Sequence, residues 1–187
     1  MRVSILLIII SWGTAWAQGK QDTTSAGAVY SDPAVGFRYT APSGMRDKTE
    51  RSRAEVKGRA GAVHANTLDL LLAMSSGPND AIPDWCSLTI ETYPRQALSN
   101  LDDISAEAKM SAWVAGIDGL PGTPRFVVIS GQSFAVYVFG ERRGSMKKGA
   151  LVWTTIRRGK LLSFAFVANS AEQLKALAET MKTVQLF

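Results

Sequence analysis

Residues 126–168 constrain the fold more than any other stretch, because they read as four successive strands joined by short connections. Phe126, Val127, Val128 and Ile129 form a β-branched and aromatic run. Phe134, Val136 and Val138 alternate with Ala135, Tyr137 and Phe139. Leu151, Trp153 and Thr155 alternate with Val152, Thr154 and Ile156, and Leu162, Phe164 and Phe166 with Leu161, Ser163 and Ala165. A period of two places alternate side chains on opposite faces of a strand, and the connections suit antiparallel neighbours. Ser130-Gly131-Gln132-Ser133 supplies a hairpin turn in which Gly131 takes a positive φ. A polar loop is expected from Gly140 to Gly149, and Arg157-Arg158-Gly159-Lys160 forms the next turn.

A helix follows. Ser170 and Gln173 have the spacing of a capping box, and Leu174, Leu177, Ala178 and Met181 share one helical face. That face is expected to lie on the sheet, with Glu172, Lys175, Glu179 and Lys182 mostly toward water.

Upstream, Tyr30-Ser31-Asp32-Pro33 reads as a turn, and 35–41 as a strand with Phe37 and Tyr39 on one face. Residues 46–64 are basic with acids interleaved. Ser52 and Glu55 suit a capping box there, and Gly58 and Gly61 limit the segment to a weak or partial helix. Strands are expected over 67–74 and 87–93. A second helix is expected over 101–115, with Asp102 and Asp103 complementing its N-terminal dipole and Gly116 capping its end.

The N-terminus carries an address. Arg2, the apolar run 5–10 and Ala15-Trp16-Ala17 form a secretory signal peptide over 1–17, too short to span a bilayer. Cleavage is expected after Ala17. Residues 18–28 would be a flexible lead and 29–187 a single domain. The mature protein would be exported, periplasmic or extracellular, and without a transmembrane segment. Cys86, the lone cysteine, can form no internal disulfide and is expected to be a buried, inert thiol.

The net charge of +5, one unit lower without Arg2, is mild and does not argue for nucleic-acid binding. One histidine and one cysteine exclude a structural Cys/His zinc site. No Walker loop, dinucleotide fingerprint or EF-hand loop is present. Gly131-Gln132-Ser133-Phe134-Ala135 lacks the second glycine of a nucleophile elbow and sits in a hairpin pattern. No catalytic, cofactor-binding or metal-binding residue is therefore assigned. The candidate surface is basic: Arg142, Arg143, Lys147 and Lys148 in one connection, joined by Arg125 at the start of the first strand of the meander. The 157–160 turn should lie a strand length away, about 20 Å. Such a patch would give weak contact with anionic surfaces.

Two segments resemble the PsbP-like superfamily, a group that includes extrinsic photosystem proteins, Ran-binding Mog-type proteins and exported bacterial proteins. One is Gly36-Phe37-Arg38-Tyr39-Thr40-Ala41-Pro42-Ser43-Gly44-Met45, similar to the family's opening aromatic strand and Pro-x-Gly turn. The other is Arg158-Gly159-Lys160-Leu161-Leu162-Ser163-Phe164, with the Ser170 helix and the closing Thr183-Val184-Gln185-Leu186-Phe187. The resemblance implies an α+β fold, a central mostly antiparallel sheet with helices on both faces, and no shared catalytic set. The expected function is non-catalytic binding or assembly in the cell envelope, through a protein or envelope partner. The alternatives are a carrier holding a small apolar ligand between sheet and helix near Trp113 and Trp153, and an enzyme with an unrecognised site, which a buried acid in a cleft would favour.

Overall fold

A computed structural model of the chain describes residues 27–59, 68–77, 85–94, 123–143 and 146–187. Their elements run β1 (Val29–Asp32), β2 (Phe37–Thr40), β3 (Arg46–Asp47), α1 (Thr49–Arg59), β4 (Asp69–Ser75), β5 (Cys86–Pro94), β6 (Arg125–Ile129), β7 (Gln132–Arg143), β8 (Met146–Arg157), β9 (Lys160–Ala168), α2 (Ala171–Glu179), a 3₁₀ turn (Thr180–Thr183) and β10 (Gln185–Leu186). Seven strands form one sheet in the order β3-β4-β5-β9-β8-β7-β6, antiparallel throughout. The opening and closing strands form a separate sheet, β1-β2-β10. The result is an α+β sandwich of sheet and helix.

The meander follows its period-two pattern. Both two-residue turns adopt positive φ at each central residue, Ser130 and Gly131 in one, Arg158 and Gly159 in the other. That geometry matches the right-handed twist of the flanking strands. Each face of the large sheet carries a buried apolar cluster. On the first, Leu88, Ile90, Phe134, Leu162, Phe164 and Phe166 pack with Leu177 and Met181 and with Phe37 and Tyr39 of β2. Phe164 is the hub, with ring centroids 5.6 Å from Phe37, 5.7 Å from Tyr39 and 6.3 Å from Phe134. The second face carries Tyr137, Phe139, Val152, Ala165 and Val167 with Trp85.

The Ser170 cap forms as its spacing predicts: Gln173 N donates to Ser170 Oγ at 3.2 Å. The reciprocal arm is missing, since Gln173 Oε1 accepts no hydrogen bond. The α-helix ends at Glu179 and tightens into the 3₁₀ turn, which buries Met181.

Three expectations are corrected. Tyr30-Ser31-Asp32 is strand, not turn, and the chain reverses at 33–36, where Asp32 Oδ1 accepts from Val35 N. The 140–149 segment is no loop: β7 and β8 stay paired through Glu141↔Lys148, Arg142↔Lys147 and Arg143↔Met146. α1 is an eleven-residue helix that begins at Thr49, where Asp47 Oδ1 accepts from Thr49 N, and not at Ser52. It runs along the outer edge of β4. The leader 1–17 and the helix expected over 101–115, with Trp113, lie outside the described residues.

Candidate functional site

Between α2 and the β6–β8 side of the large sheet lies an open cleft of about 430 Å³. Its floor is Val136 of β7 with Leu151 and Trp153 of β8. These three share a face because Val136 pairs with Trp153, and Leu151 stands two residues from Trp153. Its roof is Ala171, Leu174, Lys175 and Ala178, spaced at three and four residues along one side of α2. Arg125, Phe126 and Val127 of β6 close the third side. Leu174 approaches the sheet closely because Gly149 lies beneath it; a Cβ at Gly149 would stand 3.1 Å from Leu174 Cδ2. The volume is that of a small-ligand site, and the lining is apolar apart from two cations among the described residues.

Those cations are Arg125 and Lys175, both exposed. Neither lies within ion-pair distance of an acid among the described residues. Lys175 does feel Glu179 one turn on. The carboxyl of Glu179, however, is held below the ordinary glutamate range chiefly by its hydrogen bond from Lys182. Among the described residues no acid, histidine or cysteine lines the cleft. A fully buried carboxylate, Glu91, sits in β5 opposite Ser163 and accepts from Tyr93 Oη at 2.7 Å. It belongs to the sheet's second face, away from the cleft.

The structure separates the basic residues singled out from sequence. Arg125 pairs with Val136, six residues short of Arg142 along β7, which is about 20 Å of strand. It reaches the cleft and not the hairpin end. Arg142, Arg143 and Lys147 lie at the far end of the β7–β8 hairpin. Lys148 is buried: its Nζ stands 5.0 Å from the Trp85 ring centroid, a cation–π contact. Arg157 and Arg158 hold the closing segment: Arg157 Nη2 donates to the Phe187 carbonyl at 2.7 Å, Arg158 Nη2 to the same oxygen at 2.9 Å, and Arg158 Nη1 to the Pro33 carbonyl. Cys86 is half-buried, with a free thiol. Of the pair of tryptophans expected between sheet and helix, Trp153 lines the cleft. Lys175 was assigned to solvent on periodicity; only the placement of α2 over Trp153 brings it to a site.

No protein-family model and no curated protein sequence matches the chain. Solved structures do. Cyanobacterial PsbP (CyanoP) from Synechocystis sp. PCC 6803 is similar at a TM-score of 0.50 and 14% identity, over 91% of this chain and 99% of that one. The Pseudomonas aeruginosa protein PA94 is similar at 0.44 and 14%, over 85% and 96%. A structure from Bacteroides thetaiotaomicron VPI-5482 is similar at 0.43 and 9%, over 86% of this chain, which spans only about half (48%) of its length. The fold is PsbP-like, as the opening and closing segments implied.

Proposed function

We propose that this chain is a non-catalytic binding domain of the cell envelope that holds a small apolar ligand in the cleft between α2 and β6–β8. The observation that carries this reading is the cleft itself, about 430 Å³ with a mostly apolar lining that carries charge at two of its described positions. Burying a ligand's apolar surface there yields roughly 25 cal/mol per Å² before the costs of association. Among the described residues the lining offers no carboxylate, imidazole or thiol to move protons or attack a bond. That favours the carrier over the enzyme. Export rests on the leader read in residues 1–17; no helix among the described residues is long and apolar enough to cross a membrane.

The test is direct titration with N-phenyl-1-naphthylamine, a neutral dye that brightens in apolar surroundings. Saturable binding is expected, weakened at least about tenfold, or 1.4 kcal/mol, in Ala178→Trp, whose indole would fill the cleft from the roof. Native circular dichroism of the variant establishes that the fold survives. A wild-type chain that leaves the dye dark, or a folded Ala178→Trp chain that binds it equally well, overturns the reading.

A further inference from the structure

We infer that the cleft selects a free single-chain amphiphile with an anionic headgroup, its tail against Leu151, Trp153 and Leu174 and its head between Arg125 and Lys175. This rests on the apolar-ligand reading above and adds the ligand's charge and shape. Charge complementarity carries it. Both charged residues that line the cleft among the described residues are cations, one from the sheet and one from the helix. Both are exposed, and neither is matched by an acid within ion-pair distance among the described residues. The acids of α2 do not line the cleft: Glu172 is exposed in the first turn and Glu179 is taken up by Lys182.

An apolar trough bounded by two cations suits a molecule that is itself apolar along its length and negative at one end. A carboxylate or sulfate there makes charge-assisted hydrogen bonds with a guanidinium and an ammonium at once. A neutral amphiphile gains only the burial of its tail, and a cationic one is repelled. The roof from Ala171 to Ala178 measures about 10 Å at 1.5 Å per residue, which suits one extended chain of medium length. The opening on one side lets the headgroup stay in water while the tail is covered.

The experiment uses the purified chain loaded with N-phenyl-1-naphthylamine and displaces the dye with dodecanoate, dodecanol or dodecyltrimethylammonium, each below its micelle concentration. Dodecanoate is expected to displace at about a tenfold lower concentration than dodecanol, and the cation at a higher one, with the dodecanoate advantage shrinking at high salt. In the double variant Arg125→Gln, Lys175→Gln, dodecanoate and dodecanol should come within about twofold of each other when both are titrated against that variant's own dye complex. Equal displacement by dodecanoate and dodecanol from a wild-type chain that binds the dye overturns the headgroup preference and leaves the apolar-ligand reading standing. Absence of dye binding overturns both. A chain that ignores monomeric dodecanoate but binds phosphatidylglycerol vesicles also overturns the inference, since the anion recognised is then a membrane surface.

Discussion

Gly36 has φ +80° and lies beneath the closing segment. A Cβ there would come 2.5 Å from the Phe187 carbonyl oxygen and 2.7 Å from Arg158 Nε. Two costs therefore add in Gly36→Ala: a left-handed backbone for a residue with a side chain, and displacement of the carbonyl that Arg157 and Arg158 both hold. We predict a loss of at least about 2 kcal/mol, seen as a fall in Tm of roughly 4–8 °C by calorimetry. Gly44→Ala is the control: it carries the same sign of φ with open space around it, and should lose less. The residue scale is also where sequence reading reached least. Lys148 carries a charge and stands among other charges, so composition sends it to solvent. Its burial over Trp85 depends on a residue 63 positions earlier in the chain, which no local pattern encodes.

At the scale of elements, the two borders of the large sheet are treated differently. On one side β4 has, among the described residues, the two-residue β3 as its strand neighbour, and the segment at the start of α1 supplies further partners. Ala73 N donates to Thr49 Oγ1 at 3.0 Å, Lys48 N donates to the Ala73 carbonyl at 2.8 Å, and Arg53 Nε donates to the Leu70 carbonyl at 2.9 Å. A polar helix thus satisfies an exposed strand edge, which is why α1 needs no apolar face and is stable despite Gly58. Thr49→Val keeps the shape and orphans the Ala73 N–H; urea denaturation should show a loss of about 1–3 kcal/mol, with Thr49→Ser close to wild type. On the other border, β6 leaves Phe126 and Val128 exposed. The meander, the Ser170 cap and the inward Leu177 were legible because each is written in local spacing. β1 was not, since a half-exposed strand in a three-stranded sheet shows no apolar alternation. Nor was the outer end of the β7–β8 hairpin, where charged and glycine residues hide a strand that runs on past the core. The cleft was half legible: Trp153 between sheet and helix follows from periodicity, whereas the roof's exact residues follow only from how α2 is set down.

Across the whole molecule, Tyr39 links the two sheets. Its ring packs on Phe164, and its hydroxyl lies 2.6 Å from Thr180 Oγ1 in the 3₁₀ turn. Burial raises its hydroxyl far above the ordinary tyrosine value of 10.0, because a phenolate there would lose its water. The unfolded chain therefore gives up this proton first as pH climbs past 10, so the native state loses ground in alkali and is unaffected by this group below that point. Chemical denaturation from neutral pH upward should show stability falling above pH 10, and Tyr39→Phe should fall less steeply. An identical slope in the two proteins would assign the alkaline loss to other groups, such as Tyr30 and Tyr137, whose hydroxyls burial also raises.

The small sheet has a consequence in time. β2 is completed on one side by its immediate neighbour and on the other by Leu186, which sits opposite Phe37 though about 150 residues of chain separate them. A ribosome delivering the polypeptide from its N-terminus leaves that slot vacant until Gln185 and Leu186 appear. The small sheet is thus the part of the fold that closes late, since every strand of the large sheet precedes β10 in the chain.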